Sequence, residues 1–229
     1  MSGMNRKSGR RWMGRVAGAM AAVLASAVSS GCLLKDVSEL WYVDGAGAVT
    51  WVVQETNVRS DANAAIDRHN EESVYWLAVQ QERHPMAAGL YELGGSKIRT
   101  LVLRGEVPYT VRTEARFAGL DELGQRLIAA SGATGTSIVT RDGVSWEWTM
   151  VVRDPWAAET TSEPSESVTA LMNDLDKLQV VLVNGRFESA EGFLLSSDKR
   201  TASMVSKETT RNQSEEPAVT LKLKWKGGA

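Results

Sequence analysis

The sequence predicts an α+β fold: a largely antiparallel sheet of hairpins with about three helices, after a cleaved N-terminal signal peptide. Three observations carry this expectation. Residues alternate apolar and polar over many short stretches, as half-buried strands do. Two Asp-Gly turn signals, Asp44-Gly45 and Asp142-Gly143, separate such stretches. Only three segments have helical spacing, too few for a doubly wound parallel sheet. The overall composition, with 43% hydrophobic and 24% charged residues, is that of a globular chain.

The elements follow in order. Ser38–Val43 and Ala48–Val58 flank Asp44-Gly45-Ala46-Gly47 and read as a hairpin, with Val49, Trp51 and Val53 on one face. Ser60-Asp61-Ala62-Asn63 offers N-cap chemistry for a helix over Asp61–Arg83, which His84-Pro85 and Gly89 stop or interrupt. Ile98–Glu106 and Tyr109–Phe117 are strands around Val107-Pro108, the second with one face wet. Leu120, Leu123, Leu127 and Ile128 share one side of a helix over Leu120–Ala130. Thr136–Thr140 and Val144–Arg153 flank Arg141-Asp142-Gly143. Val144, Trp146, Trp148, Met150 and Val152 make the clearest period-two face in the chain.

Asp154–Pro164 reads as a loop and marks a candidate domain boundary. One body over residues 32–229 is favoured, because Lys177–Ala229 holds many strands and a single helix to cover them. That third helix spans Ser165–Lys177. Gln179–Phe187, Phe193–Ser196 and Arg200–Val205 form a meander, Lys207–Pro217 a polar loop, and the strand from Val219 to Lys226 closes the sheet.

Charge is distributed unevenly. Residues 1–31 hold Arg6, Lys7, Arg10, Arg11 and Arg15 and no acid. The remainder has 21 basic and 28 acidic residues, a net charge of −7, which argues against a nucleic-acid partner. Val16–Val28 is an apolar run of 13 residues. A bilayer core takes about 20, so this run suits a signal-peptide h-region rather than a membrane span. Ser29-Ser30-Gly31-Cys32 follows, and Cys32 is the one cysteine in the chain, which excludes an intrachain disulfide framework.

Small residues ending in Gly-Cys after an h-region resemble the lipobox of bacterial lipoproteins. The resemblance implies cleavage between Gly31 and Cys32, diacylglycerol on the Cys32 thiol, and an acyl (palmitate-type) chain on the new amino terminus. Ser29 stands where that family usually has Leu. The membrane is then a partner through diacylglyceryl Cys32. Leu33, rather than Asp, after the cysteine implies delivery to the outer membrane if the host is Gram-negative. Gly9-Arg10-Arg11-Trp12-Met13 loosely resembles a twin-arginine export signal.

Val183-Asn184-Gly185-Arg186-Phe187, Ala190-Glu191-Gly192-Phe193 and Asp198-Lys199-Arg200-Thr201-Ala202, together with Phe117–Leu127, resemble the β-rich module of LppM-like bacterial lipoproteins. Asn184-Gly185 replaces the usual Pro-Gly, and Met204 a usual Trp. This likeness implies an envelope domain in contact with lipid or glycolipid, with no catalytic residue to carry over.

Catalytic signals are sparse. Asp61, Asp67, Arg68, His69, Asn70, Glu71 and Glu72 form the richest polar cluster, and His69 and Glu72 are spaced to share a helix face. One such pair falls short of the three or four ligands of a zinc site. No nucleophile elbow, phosphate-binding loop or dinucleotide fingerprint occurs, and no cofactor or metal is expected. A solvated helix face is the ordinary reading of the cluster. A periplasmic metal-dependent or hydrolytic enzyme using His69 and nearby carboxylates is the alternative. Seven of the eight tryptophans follow residue 31. Trp51, Trp146 and Trp148 could line a groove for an acyl chain or sugar, although bulk in a sheet core is the default use of aromatics at strand spacing. Trp156, in the loop after Asp154-Pro155, is the aromatic expected at the surface. The favoured expectation is a non-enzymatic, membrane-anchored lipoprotein whose domain contacts lipid, glycan or another protein in the cell envelope.

Overall fold

A computed structural model describes residues 32–81, 83–153, 177–205 and 218–227. The signal-peptide segment, the expected third helix, Trp156 and the loop over 207–217 lie outside the described residues, apart from Lys177 at the helix end.

Eleven strands and three helices are present among the described residues, confirming the α+β class. In chain order they are β1 (Leu33–Val43), β2 (Val49–Ser60), α1 (Ala65–Gln80), α2 (Pro85–Glu92), β3 (Ser96–Arg104), β4 (Tyr109–Phe117), α3 (Leu120–Ala130), β5 (Thr134–Asp142), β6 (Ser145–Arg153), β7 (Gln179–Leu182), β8 (Arg186–Glu191), β9 (Phe193–Leu195), β10 (Thr201–Met204) and β11 (Ala218–Lys226). A seven-stranded sheet has the order β3-β4-β2-β1-β7-β10-β9, and a four-stranded sheet the order β5-β6-β11-β8. Every pairing is antiparallel except β1 with β7.

The β1–β2 turn forms because Asp44 folds back on its own loop. Its Oδ1 accepts from the backbone N–H of Ala46 at 2.9 Å and of Ala48 at 3.0 Å. Gly47 takes φ +84°, a conformation that side chains with a Cβ rarely adopt. Trp41 then lies opposite Trp51.

The helix expected over Asp61–Arg83 is α1, Ala65–Gln80, which ends before His84-Pro85 as expected; a further helix, α2, starts at Pro85. Pro85 cannot donate a backbone hydrogen bond and holds His84 extended, at φ −62° and ψ 131°. The proline occupies the first turn of α2, where its missing N–H costs nothing. The helix also starts late, because the polar residues before it have other partners. Asp61 accepts from Cys32, and Ser60 Oγ accepts from the Ala62 N–H at 3.0 Å.

A second correction concerns Gln179–Phe187, expected as one strand. The chain turns at Asn184-Gly185, where Gly185 has φ +104°. Gln179–Leu182 joins the large sheet beside β1, whereas Arg186–Glu191 joins the small sheet beside β11.

The core lies between the sheets. Trp41 meets Trp51 and Trp148 edge-on at 5.4 and 6.2 Å, and Trp148 meets Phe193 at 6.4 Å. Helix α3 contributes Leu120, Leu123, Leu127 and Ile128. Gly124 lets it approach β5: a Cβ there would stand 2.2 Å from Ser137 Oγ. The opposite face of the large sheet carries ion pairs, Glu114 with Arg99 and Arg112, and Asp44 with Arg116.

Candidate functional site

Two sites emerge at one end of the large sheet. The first is Cys32. It is exposed and unpaired, and it immediately precedes β1. Its backbone N–H donates to Asp61 Oδ1 at 2.5 Å, and its carbonyl accepts from the Asp61 N–H at 3.1 Å. Strand β1 reaches back to Leu33, farther than the expected Ser38, because a bulge between Leu34 and Asp36 absorbs the polar Lys35-Asp36 step. The residue named as the lipid carrier is therefore fixed to the sheet with no intervening linker.

The second site is a buried polar cluster that the sequence did not disclose. Glu55 is on the inner face of β2, in line with Val49, Trp51 and Val53. Its Oε2 lies 2.7 Å from His84 Nε2 and 3.3 Å from the Tyr75 hydroxyl, and its Oε1 lies 2.5 Å from Lys35 Nζ. The Glu55 and His84 side chains are each 1% exposed. Burial pushes the Glu55 pKa up, but the hydrogen bond and charge of His84 and the charge of Lys35 outweigh it. The carboxyl titrates below its ordinary 4.5. Burial, reinforced by the Glu55 carboxylate, pushes the Tyr75 hydroxyl above its usual range. The His84 Nδ1 has no hydrogen-bond partner among the described residues. Tyr75 and Trp76 continue the cluster as an aromatic stack on Tyr109, with ring separations of 6.0 and 5.0 Å.

A cleft of ≈ 360 Å³ is lined by Leu34, Lys35, Asp36, Asn57 and Arg59 beside the bulge. Of the cluster, only Lys35 borders it. Glu55–His84 is an imidazole–carboxylate pair in the interior.

His69, the histidine expected to carry acid–base chemistry, is exposed on α1. Glu72 accepts from the Ser60 backbone at 3.1 Å, and Glu71 from the Ser60 hydroxyl at 2.5 Å, so both carboxylates hold α1 to β2. No group of three His, Cys, Asp or Glu side chains suited to a metal occurs among the described residues.

The tryptophan groove needs correction. Trp51 and Trp148 are fully buried, packed against Trp41 and other rings. Trp148 Nε1 donates to Ser137 Oγ at 2.9 Å, which satisfies its polar atom internally. Trp146 is half-buried, stacked on Trp225 at 6.0 Å beneath Arg141. It borders a ≈ 230 Å³ cleft with Gly47, Gly119, Leu120, Val139 and Trp225, so one of the three named tryptophans reaches a cleft.

Comparison with known proteins adds little. No family model matches the chain, and no curated protein matches it. Among solved structures, the folded domain of the Mycobacterium tuberculosis protein LppM superposes over 87% of this chain and 93% of its own. The TM-score is 0.36 and the identity 10%. No helix among the described residues is long and apolar enough to cross a membrane.

Proposed function

We propose that the protein is a non-enzymatic lipoprotein of the cell envelope, tethered through diacylglyceryl Cys32, whose domain contacts lipid, glycan or a protein partner at the membrane surface. The observation that carries this reading is the placement of Cys32. A basic segment, a short apolar run and small residues precede it in sequence, and it stands exposed immediately before β1. Such a position leaves the thiol open to acylation. Two or three acyl chains suffice for stable attachment, whereas one gives only marginal, reversible binding. The placement of the histidines supports the non-enzymatic half of the reading, since one is buried in an ion pair and the other stands on an outer helix face.

Cys32→Ser removes the acylated thiol and leaves the fold unchanged. The variant, expressed in a bacterial host, should move from the membrane pellet to the soluble fraction. Retention equal to that of the parent protein overturns the anchor.

A further inference from the structure

Cys32 is followed directly by β1, so the tether has no slack: one residue spans at most about 3.6 Å. Its N–H and carbonyl are both held by Asp61. Acyl chains on this residue leave from one defined end of the large sheet. The register identifies what else is there. Leu33 lies opposite Ser60, Val58 opposite Tyr109, and Arg104 opposite Thr110. The β3–β4 hairpin turn therefore shares the anchor end.

That turn has an unusual surface. Every residue from Leu101 to Val107 is exposed, including Val102 at 45%, Leu103 at 55% and Val107 at 42%. Leu103 sits where the β3 register shifts between Val102 and Arg104, which pushes it out of the ladder. Beneath the turn, Trp76 stacks on Tyr109, and a Cβ on Gly105 would stand 3.4 Å from the Trp76 ring. The turn thus rests on a rigid aromatic base instead of folding its apolar residues inward. Arg104 and Arg59 are exposed at the same end and suit phospholipid phosphates.

We infer that the β3–β4 hairpin tip is a second membrane contact, with Val102, Leu103 and Val107 entering the leaflet that holds the Cys32 chains. This rests on the lipid-anchor reading. Lipid is the occupant favoured over a second protein copy because the linkerless tether holds the tip at the bilayer surface in every anchored molecule. Insertion at the depth of interfacial segments, about 5–10 Å, would fix the orientation of the domain. The β1–β2 turn and the Trp146 cleft would then face away from the membrane.

The test uses the membrane-extracted protein carrying Leu103→Cys. Acylation blocks Cys32, so a polarity-sensitive dye labels position 103 alone. Val144→Cys is the control: Val144 is 64% exposed, in the β5–β6 turn, and neighbouring Trp146 packs on Gly47 at the far end of the sheet. Both are reconstituted into phosphatidylethanolamine–phosphatidylglycerol vesicles with doxyl groups near the headgroups. Flotation with the vesicles reports the anchor, and quenching reports the tip. Several-fold stronger quenching at 103 than at 144 is expected. Flotation with equal, weak quenching overturns the tip contact alone. Loss of flotation, with labelling at Cys32, overturns the anchor and the tip together. A blue shift at 103 that follows protein concentration, without quenching, assigns the edge strand to a second copy and also overturns the proposal.

Discussion

The same two strands, β1 and β2, fill their inner face in opposite ways. Toward the turn at Gly47 they carry Trp41 and Trp51, which meet Trp148 from the other sheet in a dry cluster of rings. Toward Cys32, Glu55 of β2 meets His84 and Tyr75 from the helical layer, and the Lys35 ammonium reaches it from the exposed edge of β1. At the turn end two sheets supply enough apolar surface to close the core. At the Cys32 end, among the described residues, α1 rather than the second sheet covers the strands, with a smaller apolar cluster, Val58, Tyr75, Val79 and Val111. A charged group is tolerated there because each of its bonds is made. Burial without partners would cost several kcal/mol. The difference teaches that the dry end supplies stability and the polar end supplies position, holding β1, β2 and α2 in register beside Cys32.

The largest effect should come from the dry end. Trp148→Ala removes a ring with no exposed surface and its hydrogen bond to Ser137. The expected loss is near the top of about 3–5 kcal/mol, read as a shift in the urea midpoint. Trp146→Ala, at the half-buried edge of the same face, should lose distinctly less. Equal losses would mean that the ring cluster is not the centre of the core.

The polar end should respond less, and in a pH-dependent way. Glu55→Gln keeps the shape and removes the charge that faces Lys35, His84 and Tyr75. A loss of about 1.5–3 kcal/mol is expected at neutral pH. The folded protein holds the Glu55 pKa below 4.5, so this stabilisation is complete above that pH and is lost as pH falls through the folded-state value. Denaturation midpoints of the parent and the variant should therefore converge below pH 4.5. A gap that stays constant into acid would show that the carboxylate charge contributes nothing.

The two ends also differ in how far the sequence discloses them. Tyr109–Phe117 and Leu120–Ala130 fold with the boundaries that their patterns predict, because alternation and helical spacing are local signals. The change of sheet at Asn184-Gly185 is hidden, since the strands on either side alternate in the same way whichever neighbour they pair with. The Glu55–His84 pair is hidden for another reason. Its members are 29 residues apart and are joined only by the packing of α2 on the sheet. One signal was available: Glu55 interrupts an otherwise apolar face, Val49, Trp51, Val53, and a carboxylate in such a place requires a buried partner. His84, held extended by Pro85, is that partner.

The smallest effect separates the two histidines. The sequence places its acid–base expectation on His69, because Glu72 follows three residues later on the same helix. The fold gives Glu72 to the Ser60 backbone and leaves His69 exposed. His69→Ala should then change stability by less than about 0.5 kcal/mol, the ordinary size for an exposed site without special contacts. It should also leave vesicle flotation unchanged, since the proposed anchor is at Cys32. A loss comparable to that of Glu55→Gln would show that the His69 ring makes a stabilising contact within the fold despite its exposure. A negligible loss leaves the buried imidazole, not the exposed one, as the histidine on which the fold depends.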